Sequence, residues 1–342
     1  MKASFFFLLS GEHSLLPSAE CKAILESGSF TFNYSVLDQV FIVKTDYAAA
    51  NLILKRAALC HCGCLLLAKS PACIDEIIES IHISNLPMFI SASDTFAVRV
   101  KRVKQHSLSI NRLMLERVIG RHVREVTGAK VDLKSPNKLL LGVLSEGCFL
   151  LGLYIGSSIR RALRARLPRF RPFFTPSSMN PYLARAMVNL ARASRHHILL
   201  DPFCGAGSIL IEAALIGCQV VGCDLDWNVL LGAKRNLKYY GVPSELVLAD
   251  ARDPFLSHAD RVVTDPPYGR ASSTKGSPPD VLIRDFLSSA VSFLRKDGWL
   301  CIASPSVISI EDVMASHGLR IVEIYYIRVH KSLTRKIIVS RF

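Results

Sequence analysis

Along the first 155 residues, short apolar runs alternate with stretches in which apolar side chains recur every three or four positions. Phe5 to Leu9, Val40 to Lys44, Cys62 to Ala68, Thr95 to Val103, Lys138 to Leu144 and Cys148 to Tyr154 read as strands. Ser18 to Leu25, Ala48 to Leu59, Ile74 to Ile81 and Ile110 to Thr127 read as helices. That order predicts an α+β front half without internal repeats. Beyond residue 175 the pattern changes. Ile198 to Phe203, Gln219 to Asp224, Glu245 to Asp250, Arg261 to Asp265 and Trp299 to Ser304 are apolar runs separated by helical stretches. This is the signature of an α/β fold, a parallel sheet with crossover helices. The last two runs, Arg320 to Val329 and Leu333 to Arg341, are adjacent and predict an antiparallel hairpin at the sheet edge.

The chain has 342 residues, enough for two or three domains. It is 50% hydrophobic and 20% charged, which excludes intrinsic disorder. Its longest apolar stretches, Leu139 to Leu144 and Cys148 to Ile155, are interrupted by Ser145, Glu146 and Gly147. A membrane span needs about 20 apolar residues, so none is expected. The start, MKASFFFLLSG, fits a strand better than a secretory signal. Ten cysteines in no regular framework suit a reducing compartment, and a cytoplasmic enzyme is expected. Cys60-His61-Cys62-Gly63-Cys64 is spaced too tightly for a tetrahedral metal site and reads as a buried strand, so no metal is assigned.

Charge points to a polyanionic partner. Net charge is +14, and residues 1–171 hold 23 basic against 13 acidic side chains, while residues 172–342 hold 19 against 15. From Gly156 the segment GSSIRRALRARLPRFRPFFTPSS carries Arg160, Arg161, Arg164, Arg166, Arg169 and Arg171, with no acid from Gly147 to Leu200. It reads as a basic linker helix ended by Pro168, and the six arginines are expected to contact phosphates.

The chemistry concentrates at the ends of the second-half strands. Asp201-Pro202-Phe203-Cys204-Gly205-Ala206-Gly207 leaves a strand and opens a helix, and its glycines allow close approach of a ligand to the backbone. Dinucleotide folds and plain tight turns share such a turn. Leu210 occupies the third glycine position of the dinucleotide fingerprint, which disfavours pyrophosphate. One strand later, Asp224 in Gly222-Cys223-Asp224-Leu225-Asp226 suits the hydroxyls of a ribose, and Asp250 suits an adenine amino group. The next strand ends in Thr264-Asp265-Pro266-Pro267-Tyr268-Gly269. Two prolines remove backbone donors, leaving carbonyls and the Asp265 carboxylate to accept from an exocyclic amine, with a ring beside them to stack on a base.

DPFCGAG, GCDLD, AD and DPPYG together resemble the S-adenosylmethionine-dependent methyltransferases with a seven-stranded sheet that act on amino nitrogens. FTPSSMNPYLARAMVNLA and DPPYGRASSTKG narrow the resemblance to the tRNA (guanine-10-N2)-methyltransferases of archaea and eukaryotes. In the front half, TFAVRVKR, ERVIGRHV and VDLKSPNKLLLGVLSEGCFLLGLYIG resemble a THUMP domain. The resemblance spans nearly the whole chain. It implies a ferredoxin-like domain over residues 1–50, a THUMP RNA-binding domain over 51–155, a basic linker over 156–175 and a Rossmann-like class I methyltransferase over 176–342.

The resemblance also implies roles. Asp201, Phe203, Gly205 and Gly207 would line the methionine part of S-adenosylmethionine, Asp224 with Leu225 the ribose, and Asp250 with Ala251 the adenine, with Pro176 to Asn180 flanking the cofactor. Asp265, Pro266 and Tyr268 would form the target-base pocket, with Asp265 also beside the cofactor. tRNA would be the substrate. Several members work with a small zinc-binding activator protein on an apolar sheet edge, and Val220 to Cys223 and Leu246 to Leu248 are bare enough to need one. Guanine N2 methylation elsewhere in tRNA or rRNA, where relatives carry Asn in place of Asp265, is a rival. DNA adenine N6 methylation also uses DPPY, and the THUMP-like front half speaks against it. A noncatalytic RNA-binding module is a third alternative, against which the intact acidic and glycine positions stand.

Overall fold

The computed structural model describes residues 2–253, 256–268, 278–330 and 333–342. Two compact units divide the chain. In the first, the strands are β1 (Ala3–Leu9), β2 (Asn33–Leu37), β3 (Val40–Thr45), β4 (Cys60–Pro71), β5 (Thr95–Arg102), β6 (Lys130–Val131), β7 (Lys138–Ser145) and β8 (Cys148–Ser157). With them are the helices α1 (Leu16–Ser27), α2 (Tyr47–Arg56), α3 (Ile74–Ile83) and α4 (Arg112–Thr127). Lys22–Ser29 and Arg56–Leu59 cluster with the second unit.

One mixed sheet runs through this region in the order β2-β3-β1-β4-β8-β7-β5-β6. β4 is the reason a single sheet forms, because over twelve residues it pairs with β1 on one side and β8 on the other. The division drawn at residue 50 therefore falls inside α2, and the two front regions share one ladder. Cys60, Cys62 and Cys64 lie buried along β4. β2 has no apolar signature because it is an edge strand whose first four residues face solvent. In α4, Leu115, Ile119 and Val123 face the core at helical spacing, and the helix stops at Gly128, whose φ of 71° only glycine adopts at little cost.

The second unit contains α5 (Arg160–Arg164), α6 (Pro181–Leu190), β9 (Ile198–Asp201), α7 (Ser208–Ala214), β10 (Gln219–Asp224), α8 (Trp227–Tyr239), β11 (Glu245–Leu248), β12 (Ala259–Thr264), α9 (Pro279–Phe293), β13 (Leu294–Pro305), α10 (Glu311–Ser316), β14 (Arg320–His330) and β15 (Leu333–Arg341). Its seven strands are ordered β11-β10-β9-β12-β13-β15-β14, all parallel except β15, which runs antiparallel to its neighbours β13 and β14. This is the class I methyltransferase fold expected. The inner strands are apolar on both faces because helices cover both. One layer packs Phe286, Phe293 and Ile283 of α9 against Leu200, Val262 and Leu300.

The expected linker helix is short. α5 spans five residues, and a 3-10 turn over Pro168–Phe170 follows. Among the described residues no helix is long and apolar enough to cross a membrane.

Candidate active site

β9, β10 and β12 lie side by side and end at the same edge of the sheet. β9 delivers Asp201, which is 1% exposed and stands in register with Gly222 of β10. Its Oδ1 accepts from Thr264 Oγ1 at 2.8 Å and from the Phe203 amide at 3.3 Å. The chain then turns through Gly205 and Gly207, with φ of 51° and 79°. A Cβ on Gly205 would meet nothing within 4 Å, so open space lies in front of that backbone.

Three contacts hold the turn. The Cys204 amide donates to the Cys223 carbonyl at 2.8 Å, and the Gly205 amide donates to Asp224 Oδ2 at 3.1 Å. Asn236, buried on α8, donates through Nδ2 to the Ala206 carbonyl at 2.9 Å and to the Phe173 carbonyl at 2.8 Å. Asn236 thereby joins the glycine turn to the segment that precedes α6. Along that segment Thr175 and Ser178 form a side-chain turn and Asn180 caps α6.

Asp224 accepts from the backbone amides of Gly205 on Oδ2 and of Asp226 at 3.0 Å on Oδ1, and the Leu225 amide also favours its ionised form. A carboxylate offers about four lone-pair sites, so acceptor capacity remains. Leu225 beside it is 39% exposed, which leaves an apolar surface at the edge. Asp226 is a helix cap, accepting from the amides of Asn228 and Val229. Asp250 is engaged with Arg252, whose Nη2 lies 2.6 Å from Oδ2 and whose Nε lies 2.9 Å from Oδ1. Two expected cofactor residues turn inward. The Ala251 side chain is buried in the α9 layer, and the Phe203 ring packs edge-on against Phe286 at 5.3 Å.

Asp265 follows directly on β12. Its Oδ1 accepts from the Tyr268 hydroxyl, and its Oδ2 lies 3.1 Å from Nη2 of Arg335 on β15. The same guanidinium sits over the Tyr268 ring, 5.7 Å from its centroid. Pro266 is buried. Gly269 to Gly276 of the sequence motif lie outside the described residues.

Carboxyl groups dominate the electrostatics. Burial, with the charges of Asp265 and Asp224 added, pushes Asp201 up to about 7. Burial also raises Asp224 and Asp265, and Arg335 and Tyr268 pull Asp265 back down. Three acids at adjacent strand ends, each made harder to ionise, are a site with surplus negative charge.

The six linker arginines do not act alike. Arg166 is bound bidentately to Glu212 of α7 at 2.7 and 2.9 Å, and Arg185 of α6 completes a buried triad on the same carboxylate. Arg171 is 6% exposed, donating to Ser208 Oγ at 2.6 Å and to the Arg166 carbonyl at 2.9 Å. Arg166 and Arg171 thus turn into the fold rather than toward the surface, and Arg171 Nη2 is buried without a partner among the described residues. Arg160 is half-buried, with one donor on the Ala58 carbonyl and its guanidinium over Tyr182. Arg161, Arg164 and Arg169 are exposed. Arg335, Asn236 and Thr264 were not singled out from the sequence. The only signal for Arg335 was a charged pair, Arg335-Lys336, interrupting an otherwise apolar strand.

Comparison with known proteins gives the family. The RMKL-like methyltransferase domain matches residues 168–337, and the THUMP domain matches residues 71–152. A tRNA (guanine(10)-N2)-dimethyltransferase of Methanothermobacter thermautotrophicus is 38% identical over 96% of this chain and 97% of its own. That of Methanocaldococcus jannaschii is 33% identical over 97% of both. The chain belongs to the THUMP-domain tRNA (guanine-10-N2)-methyltransferases. A solved structure, TrmN from Thermus thermophilus, shares the fold with a TM-score of 0.56 over 99% of both chains at 20% identity.

The cofactor of this family is S-adenosylmethionine, whose sulfonium and α-ammonium are cations. The residues fit it: burial and neighbouring carboxylates make Asp201 and Asp224 harder to ionise, which favours a cationic ligand beside them, and the space before Gly205 admits a ligand to the backbone. Val220 and Cys223, expected to be bare, are buried in β10 between β9 and β11. Of these two strands β11 is the one at a sheet edge, and Leu248 is exposed there.

Proposed function

We infer that the protein transfers a methyl group from S-adenosylmethionine to the exocyclic N2 of guanine 10 in tRNA. The observation that carries this is the meeting of Asp265, Pro266 and Tyr268 with Asp201 and Asp224 at one sheet edge, in a chain of the G10 methyltransferase family.

The guanine N2 lone pair is delocalised into the ring and is a poor nucleophile. Asp265 and the Pro266 carbonyl would accept its two N–H groups, localising the pair and orienting it for attack. The proton released goes to Asp265 or to solvent. Tyr268 would stack on the base and offset the stacking lost when it leaves the helix. S-adenosylmethionine supplies an electrophilic methyl when bound. Asp201, Gly205 and Gly207 would hold its methionine end, Asp224 and Leu225 its ribose, and Asp250, sharing its oxygens with Arg252, its adenine amino group.

Residues 1–155 are assigned to RNA binding, residues 156–175 to a basic connector and residues 176–342 to catalysis. Arg117, Arg121 and Arg124 are exposed along α4 on the side away from its buried stripe, and with Arg161, Arg164 and Arg169 they offer cations to the phosphate backbone. The full-length relatives are named dimethyltransferases, which supports addition of two methyl groups. Mass spectrometry of nucleosides from tRNA incubated with protein and labelled cofactor identifies base, atom and methyl count. N2,N2-dimethylguanosine at position 10 is expected, and label on any other base overturns the reading.

All ten cysteines are free thiols, which supports work in a reducing compartment such as the cytoplasm. The exposed β11 edge is where a small zinc-binding activator would dock. Co-expression followed by size-exclusion chromatography tests this, and a fully active protein that does not co-elute with the partner removes it.

A further inference from the structure

β15 runs antiparallel to β13, so it starts at the edge where β9, β10 and β12 end. Its third residue, Arg335, stands opposite Pro305, the last residue of β13. From there the side chain reaches Asp265 Oδ2 at 3.1 Å and covers the Tyr268 ring. It is 16% exposed, and its Nε has no partner among the described residues. A largely enclosed cation whose buried Nε goes unused is poorly explained as a stabilising ion pair.

We propose that Arg335 is a positioning residue for methyl transfer, holding Asp265 in its ionised, acceptor-only form and fixing the Tyr268 ring beside it. This rests on the reading of Asp265 as the acceptor for the target amine. A protonated carboxyl turns one acceptor into a donor and faces an amine that has only N–H groups to offer in that direction. Among the described residues, the groups facing Asp265 are Tyr268 on the following turn, Asp201 on β9 and Arg335 on β15. Burial and Asp201 both oppose ionisation, and Arg335 is the cation among the three. Its two contacts leave other Asp265 lone pairs for the substrate.

The test is the pH profile of single-turnover transfer to tRNA for the wild type, Arg335→Gln, Arg335→Lys and Asp265→Ala, with cofactor affinity measured alongside. For Arg335→Gln the acid limb should move up by about one pH unit or more, with activity recovering at alkaline pH and cofactor affinity unchanged. Arg335→Lys should keep the limb near its wild-type position at a reduced rate. A loss in Arg335→Gln that is equal at every pH, or an unaltered profile, overturns the proposal. Should Arg335→Gln not fold, a displaced limb in a folded Arg335→Lys overturns it, and a limb in place upholds it. Asp265→Ala, which removes the acceptor, separates the two readings. If that variant is active the role of Asp265 falls, whereas an inactive Asp265→Ala beside an unaltered Arg335→Gln removes only the role of Arg335.

Discussion

The Thr264 hydroxyl donates to Oδ1 of Asp201 at 2.8 Å, joining the strand that carries the target-base turn to the strand that carries the glycine turn. Thr264 and Asp201 are the last residues of β12 and β9, and Asp265 comes next in the chain. One side-chain hydrogen bond thus sets the spacing between the amine acceptor and the methionine end of the cofactor site. A misplacement of about 1 Å in such an arrangement costs about a hundredfold in rate.

The first prediction concerns pH. In the free protein burial pushes Asp201 up to about 7, and a cationic ligand favours its ionised form. Cofactor affinity should therefore be level above about pH 7 and weaken by up to about tenfold per pH unit below it. The stability of the ligand-free protein runs the other way. The folded value is raised above the unfolded one, so this contribution is full below about pH 4, is lost as pH rises to about 7, and is flat beyond. Calorimetric titration and thermal melts across this range, with Asp201→Asn as the control that flattens both trends, check the assignment.

The second prediction separates cofactor binding from base recognition. Asp224→Ala removes a buried acceptor for the ribose, and affinity should drop by about 1.5 to 3 kcal/mol. Gly205→Ala should leave the fold nearly intact, costing about 1 kcal/mol for its positive φ, while its methyl projects into the open space before the turn and weakens the cofactor further. Isothermal titration of both variants decides, and unchanged affinity in either moves the site elsewhere.

Much of this site was legible because parallel α/β sheets place chemistry at strand ends. The apolar runs Ile198 to Phe203, Gln219 to Asp224 and Arg261 to Asp265 carry Asp201, Asp224 and Asp265 at or near their ends, which puts three acids at one edge from the pattern alone. The α5 segment was harder. Six arginines in a row of twelve residues look alike in sequence, yet Arg166 and Arg171 turn inward because the helix ends after five residues and the chain folds back onto α7. Arg335 was invisible for another reason: it lies 70 positions from Asp265, and only the antiparallel pairing of β15 with β13 brings the start of that strand to the active edge. β2 left no trace because an exposed edge strand needs no apolar alternation.

The third prediction tests the inward arginines. Glu212 is fully buried and is the common partner of Arg166 and Arg185. Glu212→Ala leaves two guanidinium groups without a counter-ion in the interior and should cost about 3 to 5 kcal/mol. Urea denaturation measures this. A change under about 1 kcal/mol would show that water reaches the triad and that these arginines are not locked.

The last prediction concerns the arginines that remain free to meet RNA. Arg161 and Arg164 on α5 and Arg169 in the following turn are exposed, and Arg169 is held by its own neighbour, with its guanidinium 4.8 Å from the centre of the Phe170 ring. Replacing all three with Gln should weaken tRNA binding and lower the slope of log affinity against log salt by about 0.7 to 0.9 for each phosphate left without its arginine, because every phosphate that an arginine neutralises releases condensed counterions. The fold should be unaffected, since none of the three is buried. Arg166→Gln and Arg171→Gln form the contrasting pair: they should lower the melting temperature and leave the salt slope alone. A salt titration of tRNA affinity, read beside thermal melts of the same variants, distinguishes the two groups. An unchanged slope in the triple variant would return these side chains to an ordinary solvated face and leave α4, with Arg117, Arg121 and Arg124, as the RNA-binding surface.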